Sequence, residues 1–393
     1  MGNLMKYGVR IHKPEEACEG YTLIAPFTTR TAWLIDMKGN FVHRWVMPTS
    51  PRNHGVLLEN GKLLYATWAP LLPESDMSHA RTGAWGIGAG LIEVDWDGKQ
   101  VWKYVDKYQH HDFYRMKNGN TMINRLTRIP PEIAYKLRGG IPGSEDRGMM
   151  WCEGLHEVTP DGKVVWEWSF AEHLDPERHI LCPVEHRADF THCNSVEVLP
   201  DGNVLTSYRN ISTILIVDKK TKKIKWQWGP GEISHQHDPT LLPNGNIMVF
   251  DNGAHRQDGS LITYSRVVEV NPSTNKIEWE YKADPPQSFY SSLISGNQRL
   301  PNGNTLICEG MKGRVFEVTR DGEIVWEFVN PFFGPHAFAP KLSGPQTSII
   351  RWGHLNAVFR AKRYTPNYPG LKGKDLNPQK LEWVNRVYGP QAI

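Results

Sequence analysis

Ser234-His235-Gln236-His237-Asp238-Pro239-Thr240-Leu241-Leu242-Pro243-Asn244-Gly245-Asn246-Ile247-Met248-Val249-Phe250 is the stretch on which the reading of this chain turns. Its first half gathers two imidazoles and a carboxylate. Its second half is a turn signal, Pro-Asn-Gly-Asn, leading into an apolar strand. Variants recur along the chain. Asn53-His54-Gly55 precedes Glu59-Asn60-Gly61-Lys62, and His110-His111-Asp112 precedes Lys117-Asn118-Gly119-Asn120. Thr191-His192-Cys193-Asn194 precedes Pro200-Asp201-Gly202-Asn203, and Ser295-Gly296-Asn297 precedes Pro301-Asn302-Gly303-Asn304. Each repeat puts a polar residue at the head of a strand, then a turn, then a second strand.

A second phrase completes the unit. It runs Trp33-Leu34-Ile35-Asp36 to Val42-His43-Arg44-Trp45 and returns as Leu91 to Tyr104, His156 to Trp168, Ile214 to Trp228, Val268 to Tyr281 and Phe316 to Phe328. Period-2 alternation around an Asp-Gly or Asn-Lys turn is a hairpin. Two hairpins per repeat make four strands, the blade of a β-propeller. The expected fold is therefore all-β, a six-bladed β-propeller over residues 20–364, with an N-terminal extension over 1–19 and a tail over 365–393. The last blade is expected to close by joining Gly20–Pro26 to Trp352–Ala361, which removes exposed sheet edges. Insertions at Pro70–Gly90, Arg128–Met150 and Ala171–Phe190 read as long loops, with a helical turn near Pro131–Leu137. A short helix is expected near Lys380–Arg386.

Composition narrows the function classes. A 39% hydrophobic share is enough for a core, and a net charge of +3 leaves no footprint for nucleic acid or a membrane surface. The 35 Gly, 28 Pro and 15 Trp suit short strands joined by turns. Cys18, Cys152, Cys182, Cys193 and Cys308 form no disulfide framework and no Cys-x-x-Cys zinc pattern. Met1–Arg10 has no apolar signal region and no run reaches a membrane span, so a cytoplasmic location is expected. Self-association as a homodimer is left open.

Most conspicuous residues have structural readings. The repeated Trp residues are packing residues of outer strands, and the Asn-Gly and Asp-Gly pairs are turns. Gly86-Ile87-Gly88-Ala89-Gly90 precedes a strand rather than following one, so it is no dinucleotide fingerprint. Asn210-Ile211-Ser212 fits a glycosylation pattern without further support. Alternation sends Cys193 to the face opposite His192. The histidines differ. His54, His111, His192, His237 and His354 fall at one repeat-relative position in five units, with Asn194 and Asn356 beside two of them. Gathering imidazoles at one axis is unfavourable unless they bind something. His110 and His235 are their neighbours and weaker candidates. Arg209 ends the strand after the His192 knot, where its fork suits an anionic oxygen.

Thr191-His192-Cys193-Asn194-Ser195-Val196, with Ser207-Tyr208-Arg209-Asn210-Ile211-Ser212, His110-His111-Asp112 and Gln236-His237-Asp238, resembles the bacterial arylsulfate sulfotransferases. The resemblance is to a shorter branch lacking the exported leader and the disulfide. It implies a six-bladed propeller with a histidine-lined centre and sulfuryl transfer between phenols without a nucleotide donor. It implies His237 as the nucleophile, and His111, His192, Asn194 and Arg209 as sulfate-binding residues. Ser295 falls where a small hydroxyl is usual, and His54 and His354 join the substrate-binding set.

The residue types suit that reaction. A sulfate ester presents anionic oxygens, and transfer through a loose transition state rests on positioning and charge stabilisation. A neutral His237 attacking sulfur would form an N-sulfated histidine that a small aromatic acceptor discharges. No cofactor is needed on this reading. The alternative is a metal-dependent lyase, hydrolase or oxygenase, with His54, His111, His237 and His354 holding one Fe or Zn ion. A third reading is a scaffold that binds a partner without catalysis.

Overall fold

The computed structural model describes residues 7–47, 51–67, 90–256, 259, 261–334 and 355–390. The expected insertion at Pro70–Gly90 and residue His354 fall almost wholly or wholly outside them. The chain is an all-β protein of six blades, a β-propeller, and it divides into two compact units. Among the described residues no helix is long and apolar enough to cross a membrane.

The second unit, Trp68–Gly90 with Tyr104–Ser292, carries three blades. One consists of Gln109–Arg115, Thr121–Arg128, Trp151–Val158 and Val164–Ser169. The next is Cys193–Val198, Val204–Tyr208, Thr213–Val217 and Ile224–Trp228. The third is His237–Leu241, Ile247–Asp251, Arg266–Asn271 and Lys276–Tyr281. These are called the His111, His192 and His237 blades. Leu155, Val196, Leu215 and Phe170 share one core, and Leu205, Ile214, Val249 and Val268 another.

The outer tryptophans explain their own repetition. Trp166 donates its indole N–H to the Lys219 carbonyl at 2.9 Å, and Trp226 donates to Asn275 Oδ1 at 2.9 Å. Each thus ties the outermost strand of one blade to the hairpin turn of the next. Trp326 does the same within the first unit, donating to the Met37 carbonyl at 2.9 Å. A bond of this kind contributes about 1 kcal/mol, and the ring packing adds to it.

The insertions carry order of their own. Pro131–Ala134 is a helical turn, and Gly139–Ile141 pairs in parallel with Leu181–His186. Arg187 fastens the two, donating to the carbonyls of Gly139 and Leu137 and to Glu145.

In the first unit, Gly8–His12 adds a fifth strand beside Ile324–Val329, so the segment expected as an extension belongs to a sheet. The N- and C-terminal segments do join to close a sheet, but the ladder falls later than expected. The expected Trp352–Ala361 segment contributes a bridge from Val358 to Pro26, and Lys362–Tyr364 pairs with Tyr21–Ile24. Before it the backbone makes other bonds. Val358 N–H donates to the Gly310 carbonyl, Phe359 accepts from Ser295 N–H, and Asn356 and Asn330 exchange amide-to-carbonyl bonds. The tail is packed: Leu371, Leu381 and Val384 are buried, and a helix spans Glu382–Tyr388. Its Asn385 both accepts from Phe41 N–H and donates to Phe41 O, capping a strand edge.

Candidate functional site

The polar knots sit where the inner strands break register. In the His111 blade Ile123 faces Phe113, but Asn124 faces His110, so His111 and Asp112 are extra residues. In the His192 blade Cys193 faces Tyr208 while Ser195 faces Ser207, and in the His237 blade the slip falls between His237 and Thr240. His111, His192, Asp238 and Ser295 all adopt positive φ, at 32°, 55°, 54° and 93°. Such backbone costs about 1–3 kcal/mol per residue and gathers at functional sites. A bulge also re-aims side chains. That is how His110 and His111, adjacent in sequence, are both buried.

Three imidazoles meet in the second unit. Ring centroids of His111 and His192 lie 4.6 Å apart, and those of His110 lie 4.3 Å from His111 and 5.5 Å from His192. His192 gives its Nδ1 proton to Asp189 across 2.6 Å. His110 Nδ1 donates to the Cys193 carbonyl at 3.0 Å and lies 3.3 Å from Glu153. Asp112 accepts from Val196 N–H at 2.9 Å and so staples the His111 blade to the His192 blade. Cys193 points into the core, bonded to Thr206 at 3.0 Å, and burial pushes its thiol far up.

Glu153 lies under this cluster, fully buried, accepting from the Thr191 hydroxyl at 2.5 Å. Burial, then the charge of Asp189, raises its pKa from 4.5 to about 8. Below the unfolded value both folded and unfolded chains hold the proton. Between 4.5 and about 8 only the folded chain holds it, so this contribution to stability is lost as pH rises. Urea unfolding across that range should show stability falling by up to about 1.4 kcal/mol per pH unit relative to Glu153→Gln. Parallel curves for the two proteins would contradict this.

His237 heads its strand, 2% exposed. Its Nδ1 lies 2.8 Å from Asn252 Oδ1, and Asn252 donates its own Nδ2–H to the Ser291 carbonyl at 2.7 Å. The second bond fixes which end of the amide faces the ring. His237 must therefore donate from Nδ1, and Nε2 carries the lone pair. The Ser265 hydroxyl donates to Asn252 O at 2.8 Å and accepts from Ser291 N–H at 3.0 Å, holding this support in place. Asn194 links the neighbouring blade, its Nδ2 donating to the Gln236 carbonyl at 2.8 Å.

Arg209 follows the His192 blade's second strand in a short 3-10 turn, its N–H donating to His192 O at 3.1 Å. Its guanidinium donates from NH1 to Glu185 at 2.8 Å and to Asn210 Oδ1 at 2.7 Å, while Nε is buried without a protein partner. Glu185 comes from the insertion strand Leu181–His186. The Arg209 charge outweighs its burial and holds its carboxyl well below the usual range. Around it stand His235, His255 and Cys182, a group whose ligand atoms lie within 4.8 Å of one another. None belongs to the histidine set expected for a metal. Burial and then Arg209 lower His235 to about 4, so the ring is neutral. Burial raises the pKa of the Tyr290 phenol, against the opposing charge of Arg209.

The remaining candidates belong to the first unit. His54, 2% exposed, lies with Nε2 3.4 Å from Arg360 NH1 and stacks on Phe359 with centroids 5.8 Å apart. The Ser295 hydroxyl accepts from Gly310 N–H at 3.0 Å, a backbone role. Asp189, Glu153, Asn252, Glu185 and Arg360 were not anticipated. Only Asp189 carried a sequence signal, a carboxylate three residues before His192.

The sequence profile of the family described as Arylsulfotransferase (ASST) matches residues 70–331. No curated protein matches the chain. Among solved structures, a protein of unknown function from Bacteroides caccae is 12% identical over 88% of this chain and 98% of its own, with a TM-score of 0.52. Virginiamycin B lyase from Staphylococcus aureus is 13% identical over 72% and 71%, with a TM-score of 0.41. The first likeness is one of fold alone.

Proposed function

The chain belongs to the arylsulfotransferase family, and from that premise we propose that it moves a sulfuryl group from an aryl sulfate ester to a phenolic acceptor through His237. The observation that carries this is the oriented Asn252 amide, which leaves the Nε2 lone pair of His237 as the attacking atom. Nε2 forms a bond to sulfur as the sulfur–oxygen bond to the aryl group breaks, and a phenolate departs. The oxygen of a second phenol, its proton passing to water, then attacks sulfur and returns the electron pair to Nε2. His111 and Arg209 Nε are the donors for the sulfuryl oxygens, and His192 joins them in its imidazolium form, its Nδ1 proton held by Asp189. Tyr290 is the aromatic wall for the substrate ring. The reaction needs no nucleotide and suits a cytoplasmic enzyme acting on small aromatic esters.

Incubation with p-nitrophenyl sulfate tests the reading. Nitrophenolate should appear, its rate should rise with added phenol, and phenyl sulfate should accumulate in step. Release no faster than with heat-denatured protein, with or without phenol, would remove the proposal.

A further inference from the structure

Beside Arg209, and outside the proposed sulfuryl-transfer residues, four donor atoms from three separated segments face one another. Cys182 Sγ lies 3.6 Å from His255 Nδ1, His235 Nε2 lies 3.2 Å from Glu185 Oε1, and His255 Nδ1 lies 3.8 Å from the same oxygen. We propose that Cys182, His235, His255 and Glu185 form a zinc site that fastens the insertion strand Leu181–His186 to the turns flanking the His237 blade's first two strands.

The tautomer of His235 makes the argument. The Ser234 hydroxyl gives its proton to the Ala254 carbonyl at 2.6 Å, so toward His235 Nδ1, 3.3 Å away, it acts as acceptor. The ring proton is therefore on Nδ1, and Nε2 presents a lone pair. That nitrogen is buried, makes no hydrogen bond, and lies against an ionised carboxylate. Two lone pairs at 3.2 Å repel in a buried setting unless a cation lies between them. A proton alone would satisfy that pair. It would give no reason for a thiol and a second imidazole to converge on the same point.

The distances fit one particular cation. Zinc bonds of ~2.0–2.1 Å to nitrogen or oxygen and ~2.3 Å to sulfur, in a tetrahedron, put ligand atoms ~3.3–3.6 Å apart. Of the six edges of such a tetrahedron, the 3.2 and 3.6 Å separations meet that length and the 3.8 Å one needs a small closure. Cys182, His235 and His255 lie within 4.8 Å of one another, and the Glu185 carboxylate has to turn toward Cys182 to complete the set. Thiolate and imidazole together favour zinc over magnesium or calcium. His235 and His255 adopt positive φ, at 57° and 55°, a strained backbone that brings both rings to the cluster. The half-exposed His255 provides the way in for the ion.

The site has a consequence for Arg209. Glu185 would bridge metal and guanidinium, accepting from Arg209 NH1 while binding the ion, so that the metal sets the position of Arg209. Arg209 is then positioned by a carboxylate that the ion itself fixes.

Cobalt provides the test, and its spectrum is independent of any sulfuryl-transfer activity. The full-length protein, freed of metal with chelator, should take up one equivalent of Co(II) with the visible bands of tetrahedral cobalt and a near-ultraviolet thiolate charge-transfer band. Cys182→Ser should abolish the charge-transfer band and weaken cobalt binding at least about 100-fold, the upper end of the cost of losing even an outer-shell partner. Cys18→Ser should retain both. His255→Gln, at a half-exposed position, gives the same weakening with the fold intact by circular dichroism, and so serves if Cys182→Ser fails to fold. Failure to bind stoichiometric cobalt, a cobalt spectrum without the thiolate band, or unchanged affinity in His255→Gln overturns the site.

Discussion

His237→Ala is expected to lower kcat for p-nitrophenyl sulfate by at least about 1,000-fold, because removing a nucleophile removes the covalent route itself. Brief incubation of the wild-type protein with donor alone should leave one sulfuryl group on the peptide that contains His237. That label should vanish on adding phenol and be absent from His237→Ala. Asn252→Leu separates nucleophile from support. It keeps the imidazole but removes the acceptor that holds the proton on Nδ1. A wrong tautomer lowers kcat by up to about 10,000-fold in a well-studied hydrolase triad. Here a loss of roughly 100-fold in kcat, with little change in KM, is the expected result. A normal kcat in Asn252→Leu would mean that the tautomer is set elsewhere, and a labelled peptide lacking His237 would move the nucleophile.

The second large effect concerns closure of the first unit. Arg363 sits on the closing strand, opposite Thr22, and is buried with its partner Glu317. Its guanidinium binds Glu317 and donates to the Cys18 carbonyl and the Thr22 hydroxyl, at 3.0 and 3.1 Å. Glu317 also accepts from Cys18 N–H and Asn304 Nδ2, both at 2.7 Å. One ion pair thus joins the N-terminal segment, the sheet that contains Arg314–Val318 and the C-terminal strand. Arg363→Met strands a buried carboxylate and should destabilise the protein by about 3–5 kcal/mol in urea unfolding. Arg363→Met with Glu317→Leu should recover much of that loss, since the stranded charge is gone. A single variant as stable as wild type would show that closure does not depend on this pair.

The blade count was legible because each blade repeats its own evidence. Six copies of the outer hairpin phrase coincide with the outer strand pairs, from Thr31–Ile35 with Phe41–Val46 to Arg314–Val318 with Ile324–Val329. Turn residues and period-2 alternation are local properties, and local properties survive in a linear reading. The closing ladder was placed too early because Trp352–Ala361 has the composition of a strand, yet the backbone of Ala357, Val358 and Phe359 finds its partners at Phe27, Gly310 and Ser295.

The candidate site was legible in part for the same reason. His111, His192 and His237 stood out by repeat position, and the first two meet in one cluster. Their supports did not stand out. Asn252 follows the second strand of the His237 blade and Glu153 lies on the third strand of the His111 blade, so each reaches its partner only through folding of the sheet. The bulges matter as much: alternation assigns adjacent residues to opposite faces, and the register slip at His111 cancels that rule.

By itself the sequence determined the strands, the turns, the number of blades and the identity of the repeated histidines, because these follow from short-range periodicity. Only the tertiary structure decided which nitrogen of His237 carries the proton, that Arg209 is held by Glu185, and that Cys182, His235 and His255 share one point in space. Those outcomes depend on hydrogen bonds between segments far apart in the chain, where spacing along the sequence carries no distance information.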